Sequence, residues 1–428
     1  MRYLLIFLNG GFAAILANRG ISVFNDAVRP IMPEFREGRM TRGELAATTF
    51  ALSFGLVIGF GIPFSILSPI ILVHSLFLGT DIIGTFFPGD PNQKWYKDKK
   101  SLRGCVGSGI VGGVYGILLL VGLQWFIDFM QALPVNIFDS MSALGEPVIY
   151  AFAAFPSLAI AYEYGFKKGI FSLFIVMIVR QLVERTGYGG ADGIALLAGI
   201  ILLLIYAIRE EGDETSTDVA SLFVDRVSNI KNNLKYIAIM GALYGMACNV
   251  GLLMEGPQSL MALKDGLRSE AINITIARAL SFIPLKGTTS LATGTFATDG
   301  FGFTATAGLL APNVVVAGIL GAIVMSLEAS SLMGIAKIFD KYSGMRKAAD
   351  NMRNAMSKLL ELALIVGSMI AANNIAPGLG FFAVAGLYLL NETAEKPIVR
   401  MAVGPIGVII VGILVNILAV VGLFNIPA

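Results

Sequence analysis

Charged and chemically reactive side chains are scarce in this chain of 428 residues. Charged residues make up 14% of the sequence, against roughly 25% in a soluble domain, and there is one histidine. The only two cysteines, Cys105 and Cys248, both lie in apolar stretches. This pattern argues against a disulfide framework and against a dedicated transition-metal site. A net charge of +2 gives no reason to expect a nucleic-acid partner.

Sequence motifs of common enzymes are also missing. The chain has no G-x-x-x-x-G-K-[ST], G-x-S-x-G, H-E-x-x-H or D-D-x-x-D pattern. ATP hydrolysis within the chain, serine-hydrolase chemistry and zinc-protease chemistry are therefore not expected. We predict that the protein is not an enzyme and that it carries no cofactor.

Apolar residues, in contrast, are abundant. They make up 56% of the sequence, the mean hydropathy is +0.76, and there are 49 glycines, which suit close packing of membrane helices. The sequence predicts an all-α, polytopic membrane protein with about 10–14 membrane segments. The segments at 269–284, 287–310 and 378–390 are short or interrupted. We expect half-helices or re-entrant hairpins there.

Two parts of the sequence resemble each other. Arg36-Glu-Gly38 followed by Ala51-Leu-Ser-Phe54 recurs, at the same spacing, as Lys264-Asp-Gly266 followed by Ala279-Leu-Ser-Phe282. Transporter folds are often built from such repeats. We predict a first repeat over 1–209, a charged cytoplasmic linker over 210–234 and a second repeat over 235–428.

Loop charges predict how the two repeats are oriented. Lysines and arginines concentrate in 94–103 and 337–358, so both loops should be cytoplasmic, whereas 302–311 has no charge. The first basic loop precedes the fourth segment of its repeat, and the second follows the fourth segment of its own. Equivalent helices then cross in opposite directions, which predicts an inverted repeat with Lys97 and Lys347 inside and Phe303 outside.

The most informative stretch is Thr293–Gly302, which is too polar and glycine-rich for a membrane helix. Hydrocarbon cannot satisfy its polar groups, so it should be buried in protein or line a wet cavity. The pattern T-D-x-x-G occurs there and once in the first repeat, which predicts a pair of segments forming one site. The predicted substrate-binding residues in and near the two segments are Thr80, Asp81, Thr288, Thr289, Ser290, Thr293, Thr295, Thr298 and Asp299.

Two readings of these polar residues stay open. A carboxylate at membrane depth is a functional candidate, but Asp81 and Asp299 could instead cap half-helices. The hydroxyl groups could bind a solute or bond to their own helix backbone.

Other polar residues in apolar segments complete the candidate site. They are His74, Glu328 and the pair Asn373 and Asn374, which precedes a Pro-Gly break. The alternatives are a packed histidine for His74 and an ordinary helix end for the asparagines. Arg29–Arg42, with two prolines near its start, predicts an amphipathic helix at the membrane surface.

From Asn18-Arg-Gly-Ile21 through Thr293–Gly302 to the C-terminus, the sequence resembles the YhfT family of bacterial inner-membrane proteins. This resemblance implies a transporter. The two halves with polar broken hairpins are also remotely similar to the membrane subunits of ascorbate/galactitol-type phosphotransferase systems. Those are homodimeric elevator transporters with a scaffold domain and a moving core domain. No phosphocarrier domain is fused to this chain, so phosphorylation-coupled, ion-coupled and passive transport stay open.

We therefore predict an elevator-type secondary transporter that moves a small polar or anionic solute across the bacterial inner membrane by alternating access. The expected partners are the solute, the lipid bilayer and a second copy of the chain, and H⁺ or Na⁺ would be the coupling ion. Half-helix N-termini would attract an anionic group. A membrane-embedded enzyme, a channel and a structural membrane partner are the alternatives.

Overall fold

The computed structural model describes residues 1–135, 137, 140, 143, 145–187, 190–210, 219–342, 344–395, 397–398 and 400–425, so most of the linker's first half lies outside it. The helices in these residues are α1 (Arg2–Asn18), α2 (Met32–Arg36), α3 (Arg42–Leu56), α4 (Ile62–Ile66), α5 (Val73–Phe86), α6 (Lys99–Gln131), α7 (Gly145–Tyr164), α8 (Phe166–Arg185), α9 (Ala191–Arg209), α10 (Val219–Asn232), α11 (Leu234–Asn249), α12 (Pro257–Lys264), α13 (Arg268–Thr293), α14 (Phe303–Leu310), α15 (Val314–Lys341), α16 (Gly344–Ile375), α17 (Leu379–Glu392) and α18 (Arg400–Val420). A 3₁₀ turn (Arg29–Ile31) precedes α2, and a π-helical turn (Val57–Gly61) joins α3 to α4. The strands β1 (Ile71–Leu72) and β2 (Leu253–Met254) pair in parallel.

Five helices of the described residues are long and apolar enough to cross a membrane: α6, α9, α15, α16 and α18. The outer face of α6 leaves Ile110, Leu118 and Trp125 more than half exposed, as lipid-facing side chains would be. The predicted all-α membrane protein is thus confirmed. The number of crossings stays a prediction.

The same order of elements occurs twice along the chain. Both α1–α6 and α11–α15 contain a helix, an extended segment, a short helix, a long helical stretch, a second extended segment, a half-length helix and a long helix, in this order. The long helical stretch is α3 with the π-helical turn and α4 in the first set, and α13 in the second. In the described residues, α7–α9 follow the first set, before α10, and α16–α18 follow the second. Corresponding helices also pack alike, because α1 packs on α5 and α6 as α11 packs on α14 and α15.

Glycines bring corresponding helices into equally close contact in both sets. A Cβ on Gly10 would collide with the carbonyl oxygen of Gly112, and a Cβ on Gly241 would collide with that of Gly321. Only glycine permits backbones to approach this closely. The α1–α6 and α11–α15 pairs therefore both depend on close packing at glycine.

Two asparagines at corresponding places satisfy the ends of the half-length helices. The Asn18 side-chain amide donates to the carbonyl oxygens of Gly84 (3.0 Å) and Phe87 (2.9 Å) at the end of α5. The Asn249 amide donates to Gly308 (3.0 Å) and Ala311 (2.8 Å) at the end of α14. Carbonyls at a helix C-terminus have no intrahelical partner, so these bonds let both helices end inside the protein.

One of the three predicted interruptions differs from expectation. Residues 269–284 belong to the uninterrupted helix α13, whose Pro284 lies inside the helix. Residues 287–310 do contain an interruption, since α13 ends at Thr293, Gly294 is in the left-handed conformation (φ +64°), and the short helix α14 follows the break. The break is confined to 294–302. The segment 378–390 is a separate 14-residue helix, α17.

Most of the described helices divide into two groups, with α3 and α13 between them. We call α1, α5, α6, α11, α14 and α15 the first helix group, and α7, α8, α9, α16, α17 and α18 the second helix group. Helix α13 packs on α14 and α15 on one side and on α9 and α16 on the other. Helix α3 with its π-helical turn likewise packs on α5 and on α18.

A polar contact at one end of the second helix group joins three of its members. The Lys347 ammonium lies 2.7 Å from Glu210 and 3.6 Å from Glu163. The hydrogen bond to Glu210 raises the pKa of Lys347. The exposed Lys347 and the two partly buried glutamates lie at the predicted cytoplasmic side of α16.

Candidate functional site

Two extended segments cross at the centre of the first helix group. Residues 21–23, after α1, bond to Phe296, in the break before α14: the Val23 amide donates to the Phe296 carbonyl (2.9 Å) and the Phe296 amide to that of Ile21 (3.0 Å). The strand pair β1–β2 is the reciprocal crossing, because it joins residues before α5 to residues after α11. These hydrogen bonds satisfy backbone N–H and C=O groups that are buried outside the helices.

Asp81 holds the first of these segments. It lies within α5, is 1% exposed, and accepts hydrogen bonds from the amides of Phe24 (3.2 Å) and Asn25 (2.8 Å). This matches the capping alternative for Asp81 in that the carboxylate accepts backbone N–H groups. The N–H groups that donate to it belong to the extended segment, however, and not to its own helix.

Among the described residues, Arg29 is the most deeply buried cation, with a relative exposure of 0%. Its guanidinium pairs with Asp26 and donates to Thr289 of α13 (3.2 and 3.1 Å). It also lies within electrostatic range of Asp81 and Asp299. The prediction of a surface helix over Arg29–Arg42 is therefore wrong at its start, because this arginine is a core residue.

Lys286 is the centre of a buried charge network. Its ammonium lies 2.7 Å from Asp299 and 3.1 Å from Glu255, and Glu255 also lies 3.7 Å from Arg278. All four side chains are less than 10% exposed. The second oxygens of Glu255 and Asp299, Oε2 and Oδ1, are buried without a hydrogen-bond partner in the described residues. Such atoms are costly unless something else binds them.

Glu328 of α15 holds the second broken segment. Its two carboxylate oxygens accept from the amides of Phe301 and Phe303, each at 3.0 Å, at the start of α14. The N-terminus of this half-helix is thus already occupied by a carboxylate of the protein itself. Phe303, which we expected in an external loop, lies at this buried break instead.

A cavity of about 110 Å³ opens beside the network. Its lining comes from the crossing segments and α13 on one side and from α16 and α18 of the second helix group on the other. The lining residues are Phe24, Asn25, Asp26, Ala27, Leu56, Phe60, His74, Leu78, Arg278, Phe282, Lys286, Asp299, Arg353, Met356, Ser357, Leu360 and Met401. The cavity therefore lies between the two helix groups.

His74 faces this cavity. Its ring lies edge-on to Phe24 (4.9 Å between centroids) and Phe60 (4.7 Å). Its Nδ1 is buried without a hydrogen-bond partner among the described residues. The histidine is packed between aromatic rings, as the alternative expected. Its Nδ1, however, does not make the expected hydrogen bond to a neighbouring carbonyl.

The predicted hydroxyl cluster divides into several environments. Thr288 and Thr293 donate to the carbonyls of Pro284 and Thr289 in their own helix, which is the self-bonding alternative. Thr289 donates to Leu285 in the same way while accepting from Arg29.

Thr295 and Thr298 lie at the crossing, whereas Thr80 bonds to the backbone of its own helix α5 and Ser290 lies within α13. Ser22 donates to Thr298 (3.0 Å), Thr295 to the Gly20 carbonyl (3.3 Å) and Thr80 to Phe77 (2.9 Å). Ser290 is fully buried, and its Oγ has no partner in the described part of the chain.

Asn373 and Asn374 belong to a helix end. Asn373 accepts from the Gly378 amide (2.7 Å), which closes the turn between α16 and α17, and Asn374 is exposed. The cavity lining does not include either of them.

The two T-D-x-x-G segments do not share a local structure. Thr80–Gly84 is helical within α5, whereas Thr298–Gly302 forms turns before α14. The Asn18 and Asn249 hydrogen bonds indicate instead that Gly84 corresponds to Gly308 in the other half. Asp81 and Asp299 thus reach the same region from non-equivalent positions. Sequence reasoning also missed Lys286, Glu255 and Arg278 as site residues, although a charge inside an apolar run was the available signal. It missed Arg29 as well, which stands in a polar stretch.

Comparison with known proteins shows the family. The YhfT family model, described as a protein of unknown function, matches residues 2–424. The chain is 36% identical over 436 residues to the "Uncharacterized protein YhfT" of Escherichia coli (strain K12), covering 98% of this chain and 97% of that protein. No solved structure matches the chain. On the family match and this identity, the chain belongs to the YhfT family.

Proposed function

We propose that this protein is a secondary transporter that moves a small anionic solute across the bacterial inner membrane by alternating access. The observation that carries the proposal is the charged cavity at Lys286, which lies between two groups of apolar helices and beside two crossing broken segments. The proposal also assigns 1–209 and 235–428 to two inverted repeats joined by the linker 210–234.

The buried charges support a functional role. Transferring ions into a low-dielectric interior costs several kcal/mol each, and an apolar replacement is often as stable. Ionisable groups at membrane depth usually belong to transport pathways or binding sites. Arg29, Lys286, Asp81, Asp299 and Glu255 are each less than 10% exposed in a chain that has few charges at all.

The sign of the cavity's charges favours an anion. Arg278, Lys286 and Arg353 line it, against the carboxylates Asp26 and Asp299. Asp26 pairs with Arg29, and Glu255 pairs with Lys286 and Arg278. Neither Arg29 nor Glu255 belongs to the lining, so the cations outnumber the carboxylates at the cavity itself. An anionic group entering the cavity would compete with Asp299 for Lys286, and the rings of Phe60 and Phe282 would cover the rest of the solute.

The manner of anion binding differs from the one the sequence suggested. We expected half-helix N-termini to attract the anion. Glu328 already accepts the amides at the start of α14, and Asp81 accepts those of Phe24 and Asn25. Side-chain cations, above all Lys286 and Arg278, are therefore the proposed ligands.

The repeated element order and the paired contacts support inverted repeats. Close glycine contacts occur in both halves, and each half has one asparagine cap. The two crossings each join a segment of one half to a segment of the other. Transporters of this kind place the substrate where the two repeats meet. The two groups, with α3 and α13 between them, suit a core that moves against a scaffold, as in an elevator.

Coupling to a proton is part of the proposal. Asp81 and Glu328 are bonded to backbone amides of the two broken segments rather than to a cation. Protonation of either would weaken its hold on that segment, because an ionised carboxylate accepts the stronger hydrogen bonds. A homodimer formed by the second helix group stays a prediction.

The test uses proteoliposomes on a solid-supported membrane, exposed to concentration jumps of a library of small anions that includes inorganic phosphate, succinate and gluconate. We expect a saturable current with at least one anion. It should disappear in Lys286→Met and persist in Lys100→Met, whose lysine is exposed in α6. If no anion gives a current that depends on Lys286, the proposal fails.

A further inference from the structure

A second cavity, of about 520 Å³, lies apart from the first and carries charge of one sign. It is formed by the end of α1, α2, the segment before α6, the end of α10 and the start of α11. The lining is Arg19, Ile21, Arg36, Pro91, Asn92, Gln93, Lys94, Trp95, Tyr96, Asn229, Asn232, Asn233, Lys235 and Tyr236. Four of these are cations and none is a carboxylate. We call this the basic cavity.

Arg19, in the lining of the basic cavity, has a buried guanidinium nitrogen without a partner among the described residues. Its side chain is 7% exposed, and one guanidinium nitrogen, Nη2, donates to the carbonyl oxygens of Pro91 and Gln93. The other, Nη1, is buried without a hydrogen-bond partner in the described part of the chain. A buried, unpartnered guanidinium nitrogen costs free energy that a bound acceptor would remove.

The rest of the lining fits a phosphate group. Guanidinium groups bind phosphate oxygens with strong, charge-assisted hydrogen bonds, and lysines add charge at the rim. The side chain of Asn232 supplies a neutral amide donor, whereas the Asn233 amide donates to the Asn229 carbonyl (2.9 Å). Trp95 and Tyr236 give ring faces against which a less polar part of the same molecule can pack.

We propose that the basic cavity binds a phosphate group, carried by a small soluble molecule or by a lipid head group. Its position links it to the crossing of the broken segments. Arg36 donates to the carbonyls of Gly20 and Gly294, where the two segments begin, and Asn229 donates to Gly294 (2.7 Å). An occupant that fixes Arg36 would hold the crossing in its present arrangement.

The chain offers a direct probe of occupancy, since Trp95 and Trp125 are its two tryptophans. In full-length Trp125→Phe protein in detergent micelles, Trp95 reports on the basic cavity alone. Titration with inorganic phosphate should change its fluorescence saturably, and sodium chloride at equal ionic strength should not.

The variant pair Lys94→Gln with Lys235→Gln should weaken this response about tenfold or more, since two charge-assisted contacts are lost. The matched pair Lys97→Gln with Lys100→Gln removes the same charge outside the lining and should leave it unchanged. Both lysines of the first pair are exposed, so these variants fold even where Arg19→Gln does not.

Vesicles distinguish the two sources of the phosphate. If phosphatidylglycerol vesicles, but not phosphatidylcholine vesicles, change the fluorescence and abolish the response to free phosphate, a lipid head group is the ligand. If the phosphate response is the same in both, the ligand is soluble. The proposal is overturned if no probe gives a saturable response, if chloride acts as phosphate does, or if the two lysine pairs behave alike.

Discussion

The Lys286 ammonium lies 2.7 Å from Asp299 and 3.1 Å from Glu255, at a depth where all three side chains are almost fully buried. One lysine of α13 thus neutralises a carboxylate from the break before α14 and another from the segment after β2. Any solute that binds in the adjoining cavity has to disturb this arrangement, which links recognition of charge to the conformation of the break.

Removal of Lys286 should destabilise the fold. Lys286→Met leaves Glu255 and Asp299 buried beside each other, and we expect a loss of about 3–5 kcal/mol in the free energy of unfolding. Adding Asp299→Asn should recover part of the loss, because the two substitutions share one interaction. Unfolding of purified protein by SDS measures both, with Lys100→Met as the control. Equal stability of Lys286→Met and the control would contradict the ion network.

The close glycine contacts predict that the stability of the protein depends steeply on the size of the side chain at these positions. Gly10→Ala and Gly241→Ala each force a Cβ against a carbonyl oxygen of the facing helix, so we expect losses of about 1–3 kcal/mol. Gly122→Ala and Gly334→Ala add a Cβ with nothing within 4 Å and should be neutral or slightly stabilising. Thermal unfolding in detergent compares the four. Indistinguishable melting temperatures would mean that the helices are not packed this closely.

The two asparagine caps should contribute similarly. Asn18→Ala and Asn249→Ala each leave two carbonyls at a buried helix end without their donor, which should cost about 1–3 kcal/mol. Asn374→Ala changes an exposed side chain and serves as the control. Hydrogen exchange at the ends of α5 and α14 should rise in the respective variant only. A rise in neither would show that other groups satisfy those carbonyls.

Transport should depend on both aspartates. Asp81→Asn and Asp299→Asn keep the side-chain shape while removing the charge, so we expect transport to be abolished with expression and folding near normal. Asp265→Asn, in an exposed position, should transport as the parent does. The measurement is initial uptake of whichever anion gives a current in the parent protein. Wild-type rates in both variants would reduce the aspartates to structural acceptors.

The membrane orientation can be tested at three positions. Cysteines at Lys97 and Lys347 should react only from the cytoplasmic side, in keeping with the basic loops around them. The external position should be Pro312, because Phe303 lies at the buried break whereas Pro312 is exposed between α14 and α15. Labelling of position 97 or 347 from the periplasm would contradict the inverted repeat.

The sequence predicted the helical membrane class, and it pointed to the region of 293–302 as irregular and buried. Hydropathy and glycine content carry that information directly. It did not predict that α13 runs unbroken through Pro284 and the threonines, since their carbonyls and hydroxyls are satisfied by one another and by Arg29. It also could not show that Asp81 and Asp299 arrive from non-equivalent positions, because short patterns such as T-D-x-x-G recur by chance.

Arg29 shows a further limit of sequence reasoning. Charges beside prolines at the start of a polar stretch are typical of a membrane surface. Here the arginine turns inward because Asp26, Thr289 and two backbone carbonyls are there to receive it. Asp26 and the two carbonyls are near Arg29 in the sequence but belong to a non-helical segment, and Thr289 lies 260 residues away. The local sequence therefore does not reveal that these acceptors meet.

Alternating access of the Lys286 cavity is tested most directly at Ala27, which lines it. In proteoliposomes, Ala27→Cys should react with a membrane-impermeant maleimide from either side, each time in a fraction of molecules, and a transported anion should shift the ratio. The parent protein is the control, because Cys105 and Cys248 are buried. Reaction from one side alone under every condition, or from both sides together with a continuous ion leak, would contradict alternating access and favour a fixed site or a channel.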